Sequence, residues 1–170
     1  MRKLLPVFAI LITMGTLFQS CQKDYDTTPD VDKQQADNPL SGHLTFNVDS
    51  FKFKSEVKYA QIQEVNGVKN LIISGTKYAD NRVNGTYEQL VITIGNYNPE
   101  NKKFNFGSQA NITYSRVDGS ETTVYNGQAG ENSFVYVEGT YKGYFNTVVT
   151  NSKNSNDKIV ISNGSFDIPK

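Results

Sequence analysis

The chain has very few of the residues on which most catalytic and metal centres depend. Its 170 residues include one histidine, one cysteine and no tryptophan. A Ser-His-acid triad would have to use His43, and we expect this histidine to be solvated at the start of the first strand instead. Zinc needs three or four His, Cys or acidic ligands, so no zinc site is predicted. A single cysteine also excludes a disulfide within the chain.

Long hydrophobic runs are missing as well, with one exception at the N-terminus. Leu4 to Phe18 is apolar and follows Arg2 and Lys3. At about 15 residues, this run is shorter than the roughly 20 that a membrane-spanning helix needs. A basic start, a short apolar stretch and a small residue, Ser20, before Cys21 are typical of a secretory signal. We therefore predict a signal peptide over residues 1–20.

The segment Leu17 to Cys21 resembles a bacterial lipobox, although Phe18 stands where an aliphatic residue is expected. The resemblance implies that the Cys21 thiol is lipidated and that the membrane is a partner through this lipid. Several acyl chains would give stable attachment, whereas one myristoyl chain binds only marginally. The alternatives are a membrane-spanning anchor and a free thiol in a secreted protein.

The residues after the cysteine indicate where such a protein would reside. Gln22 to Asp26 is similar to the Lys-plus-acidic signal that directs lipoproteins of Bacteroidetes-type bacteria to the cell surface. It implies a lipid anchor in the outer membrane and a cell-surface orientation, with a periplasmic orientation as the alternative. Residues 21–41 contain five aspartates and two prolines and almost nothing apolar. We predict that they form a flexible acidic linker after the lipidated cysteine.

The charge balance gives no indication of a nucleic-acid partner. Lys+Arg and Asp+Glu both number 17, and loss of Arg2 and Lys3 with the signal peptide leaves 15 against 17. The resulting charge of about −2, without any basic block, predicts no nucleic-acid binding.

Residues 42–170 have the composition and the alternation of a single β domain. Phe, Tyr, Val, Ile and Thr fit pleated, half-buried surfaces, and Asn and Gly suit turns. We predict an antiparallel β-sandwich of about nine or ten strands, with a partly open barrel as the alternative. Hairpins are expected at Asn66-Gly67 and Asp118-Gly119 and a central strand at Tyr87 to Ile94. Phe134 to Tyr144 is expected to be one long strand, bent at a glycine.

Three motifs resemble a family of small, uncharacterised β-sheet lipoproteins of Bacteroidetes-type bacteria. They are the opening from Phe46 to Phe53, the Val-x-Gly-Thr-Tyr element at Val137 to Tyr141, and the closing segment Ile161 to Phe166. The resemblance covers most of residues 43 to 168. It implies a β fold and an envelope location, and it implies no activity.

Three sets of oxygen-bearing side chains are candidates for chemistry. Asp80-Asn81 with Asn84, or Asp118 with Glu121, would offer oxygen ligands to calcium, but both groups fit ordinary turn chemistry, and no metal or cofactor is predicted. A glycoside hydrolase would need two converging carboxylates, for which Glu88 and Glu138 are the candidates. We expect both to face solvent, and no catalytic residue is predicted.

Nine tyrosines lie in the predicted domain, more than one core requires. Tyr78 and Tyr97, at loop edges, are the candidates for exposed ligand contacts, with core positions and cross-strand pairs as the alternative. The sequence thus predicts a non-enzymatic, lipid-anchored envelope lipoprotein that acts as a surface interaction or scaffold module with a glycan or protein partner. The alternative is a carbohydrate- or small-ligand-binding accessory protein for nutrient uptake.

Overall fold

Alternating apolar and polar residues form β-strands throughout residues 42–79, 85–139 and 141–169, which a computed structural model describes. The all-β prediction is confirmed, and no helix occurs in these residues. The predicted signal peptide and linker lie outside them. The strands are β1 (His43–Val48), β2 (Phe51–Lys54), β3 (Val57–Val65), β4 (Val68–Tyr78), β5 (Tyr87–Ile94), β6 (Lys103–Asn105), β7 (Ala110–Asp118), β8 (Glu121–Gly127), β9 (Phe134–Glu138), β10 (Lys142–Asn151) and β11 (Lys158–Asp167).

These strands form one antiparallel sheet. Its main path has the order β2-β1-β11-β10-β8-β7-β5-β4-β3, and β9 and β6 branch from β10. The sheet is open and strongly curled, so that the nine strands of the path form a half-barrel. Of the two architectures considered from the sequence, the partly open barrel describes this sheet.

The two ends of the path are joined by one short segment of chain. Only Ser55 and Glu56 separate β2 from β3, yet these strands end the path on opposite sides. The Ser55 amide donates to the Leu44 carbonyl of β1 at 3.0 Å, and the Glu56 amide donates to the Thr76 carbonyl of β4 at 2.8 Å. Since consecutive residues bind to β1 and then to β4, the sheet has to curl.

A bulge in β11 adds to the bending. The register of β11 shifts against β1 between Thr45 and Asn47, and against β10 between Phe145 and Thr147. Gly164 lies at this point, and a Cβ there would stand 2.6 Å from the ring of Phe145. The absence of a side chain therefore allows the ring to pack on the backbone, and the bulge bends the strand locally.

The concave face of the sheet holds the core. Phe46 stacks on Phe53 with ring centroids 4.3 Å apart and meets Tyr114 edge to face at 6.0 Å. Aromatic pairs in such geometries add to the stabilisation from burial. The largest fully buried side chains are Tyr114, Phe46, Phe53, Phe104, Phe106, Phe145, Phe166, Leu44, Leu71, Ile73, Leu90 and Ile92.

The turn predictions were right at two places and wrong at a third. Asn66 and Gly67 both have positive φ and join the paired residues Val65 and Val68, as expected for a two-residue hairpin. The second hairpin, at Asp118-Gly119, is also present. The single strand predicted from Phe134 to Tyr144 is wrong: Gly139, with φ of +62°, lies in a turn between β9 and β10, which pair with each other.

Candidate functional site

A cleft of about 230 Å³ opens at one end of the half-barrel, between β2 and the facing strands β4, β5 and β7. We call it the mouth cleft. It exists because β2 pairs with β1 only, while β4 pairs with β3 and β5, so the sheet is not continuous between β2 and β4. Its lining residues are Val48, Phe51, Lys52, Phe53, Lys77, Glu88, Tyr114 and Arg116.

A row of charged side chains crosses the rim of the mouth cleft. Lys77 lies opposite Glu88 in the β4–β5 ladder, and Glu88 lies opposite Arg116 in the β5–β7 ladder. Opposed residues share a face of the sheet, so the three side chains stand side by side. Arg116 Nε is 3.5 Å from Glu88 Oε1. The row therefore contains two cations and one carboxylate, although the whole chain has a formal charge of zero. Lys52 also borders the cleft, but the alternation of β2 directs its side chain to the other face from Phe53.

Arg116 is held in place by an aromatic layer beneath it. Its Nε donates to the Tyr114 hydroxyl at 3.1 Å, and its Cζ lies 5.3 Å from the Tyr114 ring and 6.0 Å from the Tyr125 ring. Burial raises the pKa of Tyr114 to about 12, and the hydrogen bond from Arg116 opposes this rise. Tyr114 therefore remains a neutral acceptor at physiological pH. A positioned guanidinium is suited to bind carboxylate, sulfate or phosphate oxygens.

Phe51 gives the same cleft an apolar rim. Its side chain is 78% exposed, the largest exposure among the exposed large hydrophobic residues. The alternation of β2 places Phe51 on the same face as the buried Phe53. The cleft is smaller than the 300–1,000 Å³ typical of pockets for drug-sized ligands, so it fits one small group or the end of a longer molecule.

The two tyrosines predicted as exposed contacts do not line this cleft. Tyr97 is 5% exposed, and its hydroxyl donates to the Gly139 carbonyl at 2.9 Å. The expected exposure of Tyr97 is wrong because the segment after β5 turns inward, where the Tyr97 amide donates to the Lys69 carbonyl at 2.6 Å. Burial also raises the pKa of Tyr97.

Tyr78 is half-buried and lies opposite Tyr87 in the β4–β5 ladder, with ring centroids 6.2 Å apart. Tyr114 and Tyr125 are in the core. Core positions and cross-strand pairs, the alternative considered for the tyrosines, therefore describe these side chains. A ligand contact at Tyr78 or Tyr97 stays a prediction.

A second cluster of aromatic residues lies on the β6–β9–β10 branch. It is on the outward-facing side of this branch, opposite the side that packs on the core. Tyr136 and Tyr144 stack with centroids 4.8 Å apart, and Phe134 meets Tyr144 edge to face at 6.0 Å. Lys103 Nζ stands 4.4 Å from the centre of the Phe134 ring. We call these four residues the outer aromatic patch. The abundance of tyrosine is visible in the sequence, but only the pairing of β9 with β10 brings Tyr136 and Tyr144 together.

A broader groove of about 440 Å³ is rich in amide side chains. Asn70 Oδ1 accepts a hydrogen bond from the Asn96 amide at 3.3 Å, and Gln109 Oε1 accepts one from the Asn105 amide at 3.1 Å. We call it the amide groove. It is lined by Val68, Asn70, Gly95, Asn96, Asn101, Phe104, Ser108 and Gln109.

The acidic candidates do not share a cleft. Glu88 interacts with Arg116 at the mouth cleft, whereas Glu138 lies on β9, opposite Lys142 of β10. β5 and β9 are not neighbours in the sheet, so the arrangement expected of a hydrolase is not formed by this pair.

The remaining candidates have ordinary structural environments or lie outside the described residues. His43 is exposed and hydrogen-bonds Ser165 Oγ at 3.2 Å, as expected for a solvated residue at the start of a strand. Asp118 Oδ1 accepts a hydrogen bond from Thr86 Oγ1 at 3.1 Å. Cys21, Asp80, Asn81 and Asn84 are not among the described residues. Within the described ranges, no three His, Cys, Asp or Glu side chains are grouped so as to hold a metal ion.

Comparisons with known proteins gave no match to a protein family, to a curated protein or to a solved structure. A search of the described residues for an apolar helix long enough to span a membrane also found none.

Proposed function

We propose that this chain is a lipid-anchored, non-enzymatic binding module of the bacterial cell envelope, attached to the outer membrane through Cys21. The mouth cleft is its contact site, and an anionic group on a glycan or protein partner is what it binds. The observation behind this proposal is the positioned Arg116 guanidinium at the rim of an open cleft, in a row of side chains that also contains Lys77. The basic and apolar N-terminus before Cys21 supports the anchor.

The chemistry of the cleft favours binding over catalysis. Arg116 is fixed by Glu88 on one side and Tyr114 on the other, and the exposed Phe51 adds apolar surface next to it. A carboxylate or sulfate would gain a charge-assisted hydrogen bond from the guanidinium, and the carbon skeleton bearing it would cover part of Phe51.

Lipidation is tested by replacing the acceptor thiol. Cys21→Ser removes the only cysteine, so the full chain should either leave the membrane fraction or accumulate as a precursor. Fractionation with mass spectrometry of the N-terminal peptide provides the measurement. A processed Cys21→Ser protein that stays in the membrane would refute the anchor. Digestion of the domain by protease added to intact cells would support the cell-surface orientation, and full protection would contradict it.

Binding at the mouth cleft is tested by titrating the full chain, in detergent, with glucuronate and with sulfate. We expect both anions to bind and neutral glucose to bind at least about tenfold more weakly, because only the anions satisfy the Arg116 donors. Arg116→Gln should reduce anion affinity to that of glucose. Lys103→Gln, which removes a cation from the outer aromatic patch, is the matched control and should leave binding unchanged. Equal responses to the three probes would contradict an anion site.

The amide groove favours a second candidate, a carbohydrate-binding accessory protein for nutrient uptake. Asparagine and glutamine side chains both donate and accept, which suits neutral sugar hydroxyls, and the groove is larger than the mouth cleft. A neutral oligosaccharide that binds to the full chain, loses affinity on Asn101→Ala and is unaffected by Arg116→Gln would support this candidate. Absence of binding across a panel of neutral glycans would reject it.

A further inference from the structure

β3 presents a free strand edge. It ends the main path of the sheet and pairs along its nine residues with β4. Among the described residues, no backbone group of Val57–Val65 hydrogen-bonds outside that ladder. In an antiparallel strand, successive hydrogen-bonding groups alternate sides, so about half of those of β3 point away from β4. Such a row is a template for another strand.

This edge has few of the features that protect natural sheet edges. Its register with β4 is continuous from Val57 to Val65, without a bulge, and its sequence contains no proline. Tyr59, Ile62 and Val65 are 38%, 42% and 50% exposed. Bulges and prolines are two of the usual means of preventing strand addition, and β3 has neither. Its two charges, Lys58 and Glu64, lie on the same face of the sheet as the buried Leu71 and Ile73, where they oppose strand addition by any partner that does not neutralise them.

The charges of β3 are arranged symmetrically. Its nine residues include one cation and one anion, Lys58 and Glu64, which lie three residues before and three residues after Gln61. If two β3 strands paired antiparallel about a two-fold axis at Gln61, Lys58 of each copy would lie opposite Glu64 of the other. Opposite charges directly across a ladder stabilise the pair, and like charges destabilise it.

The apolar residues fit the same register. Val57 would face Val65 of the second copy, and Ala60 would face Ile62. Glu64 already lies opposite Lys69 in β4, so each Glu64 would stand between two cations. A register centred on Lys58 or on Glu64 would instead oppose two lysines or two glutamates, which disfavours these registers.

We propose that two copies of this chain associate edge to edge through β3, in the antiparallel register centred on Gln61. The sheet of one copy then continues into the sheet of the other, and the interface is isologous, as expected for a two-fold dimer. A second copy is the occupant that the edge favours because its charge pattern is complementary to itself. The proposal does not depend on Cys21 or on the mouth cleft.

A thiol on the two-fold axis tests this register. Gln61→Cys in the full chain would place the two introduced thiols directly opposite each other, and directly opposed residues of an antiparallel pair have Cα separations within the range that a disulfide spans. We expect a covalent dimer on a non-reducing gel after mild oxidation of the full chain. The unmodified chain controls for Cys21, and Val160→Cys controls for exposure, because Val160 is 51% exposed on β11, a strand with neighbours on both sides.

Charge reversal distinguishes cross-linking in this register from cross-linking by random collision. In the Gln61→Cys background, Lys58→Glu or Glu64→Lys alone creates two like-charge contacts and should reduce the dimer yield at least about fivefold. The combination of Lys58→Glu with Glu64→Lys restores opposite charges and should restore the yield. A Gln61→Cys yield no higher than that of Val160→Cys, insensitivity to the single reversals, failure of the double variant to recover, or a cross-link to another protein would each overturn the proposal.

A measurement on the unmodified chain keeps the test valid if a variant fails to fold. The outward amides of β3 should exchange hydrogen more slowly as the concentration of the full chain in detergent rises, while the amides of β11 should not change. Exchange in β3 that is independent of concentration, together with a monomeric mass throughout the range, would overturn the proposal.

Discussion

β11 and β3 have similar lengths, ten and nine residues, but they lie in very different environments. β11 lies between β1 and β10, and it buries Ile159, Ile161 and Phe166 on the concave face. β3 lies at the end of the path, and no residue of β3 is fully buried. Ile161 is 1% exposed, whereas Ile62 is 42% exposed. The contrast between two isoleucines shows that position in the sheet, more than residue type, determines how deeply a side chain of each strand is buried.

The largest expected effect comes from deleting the same side chain in both strands. Ile161→Ala should lower the free energy of unfolding by about 2–5 kcal/mol, because it leaves a cavity in the core. Ile62→Ala should change it by less than about 1 kcal/mol, since much of that side chain is already in water. Denaturant unfolding of the two variants provides the measurement. Edge-to-edge pairing of β3 would leave its faces open, so it does not alter this expectation. Equal losses would mean that another chain covers the face of β3 or that the core assignment is wrong, and the concentration dependence of the losses separates these explanations.

A smaller expected effect is the pH dependence of the free energy of unfolding that arises from Tyr114 in the core. The pKa of Tyr114 is raised from 10.0 to about 12, mainly by burial, so the folded state favours the neutral phenol. This contribution is complete below pH 10 and decreases between pH 10 and about 12, because the unfolded chain releases its proton first. The loss amounts to about 2–3 kcal/mol at 1.36 kcal/mol per pKa unit.

Tyr114→Phe removes this ionisation, so its stability should decrease less steeply with pH above 10 than that of the unmodified chain. Some slope should remain, because burial also raises the pKa values of Tyr97 and Tyr125. Unfolding curves recorded from pH 9 to 12 provide the test. Parallel profiles for the two proteins would show that Tyr114 is not the group responsible.

The smallest effect concerns a buried hydroxyl on β4, the strand next to the edge. Ser74 Oγ is buried without a hydrogen-bond partner among the described residues, whereas Ser133 Oγ bonds to the Gln128 carbonyl at 2.5 Å and to Thr147 Oγ1 at 2.6 Å. Ser74→Ala should be neutral or slightly stabilising, and Ser133→Ala should cost about 1–2 kcal/mol. Thermal unfolding distinguishes the two. A clear loss in Ser74→Ala would indicate that its hydroxyl has a partner, such as a bound water.

Local sequence patterns predicted much of the fold because they act within a few residues. Asn66-Gly67 fixes a hairpin through its positive φ angles, and the apolar residues of Tyr87 to Ile94 predicted a central strand, which has a neighbour on each side. The same patterns failed at Gly139. Apolar alternation continues on both sides of this glycine, and a glycine inside a strand and a glycine in a turn look alike in a sequence. Only the pairing of Val137 with Gly143 distinguishes the two cases.

The candidate site was much less predictable, because it depends on register between distant strands. Lys77, Glu88 and Arg116 come together only when β5 is aligned between β4 and β7. Nothing near any one of these residues in the sequence specifies that alignment. Position beside a loop was also a poor guide to exposure, since Tyr97 follows β5 directly and is buried against Phe104, with ring centroids 5.8 Å apart.

The pairing of β1 with β11 has a consequence for how this protein is made. His43 lies opposite Asp167, so the first strand of the half-barrel finds its second neighbour more than one hundred residues later in the chain. During synthesis or export from the N-terminus, β1 has β2 as its only sheet neighbour among the described strands until Lys158–Asp167 has emerged. Closing so long a loop is slow, and it leaves strand edges open to wrong partners meanwhile. A chaperone that shields the emerging chain would therefore have most effect before its last ten strand residues arrive.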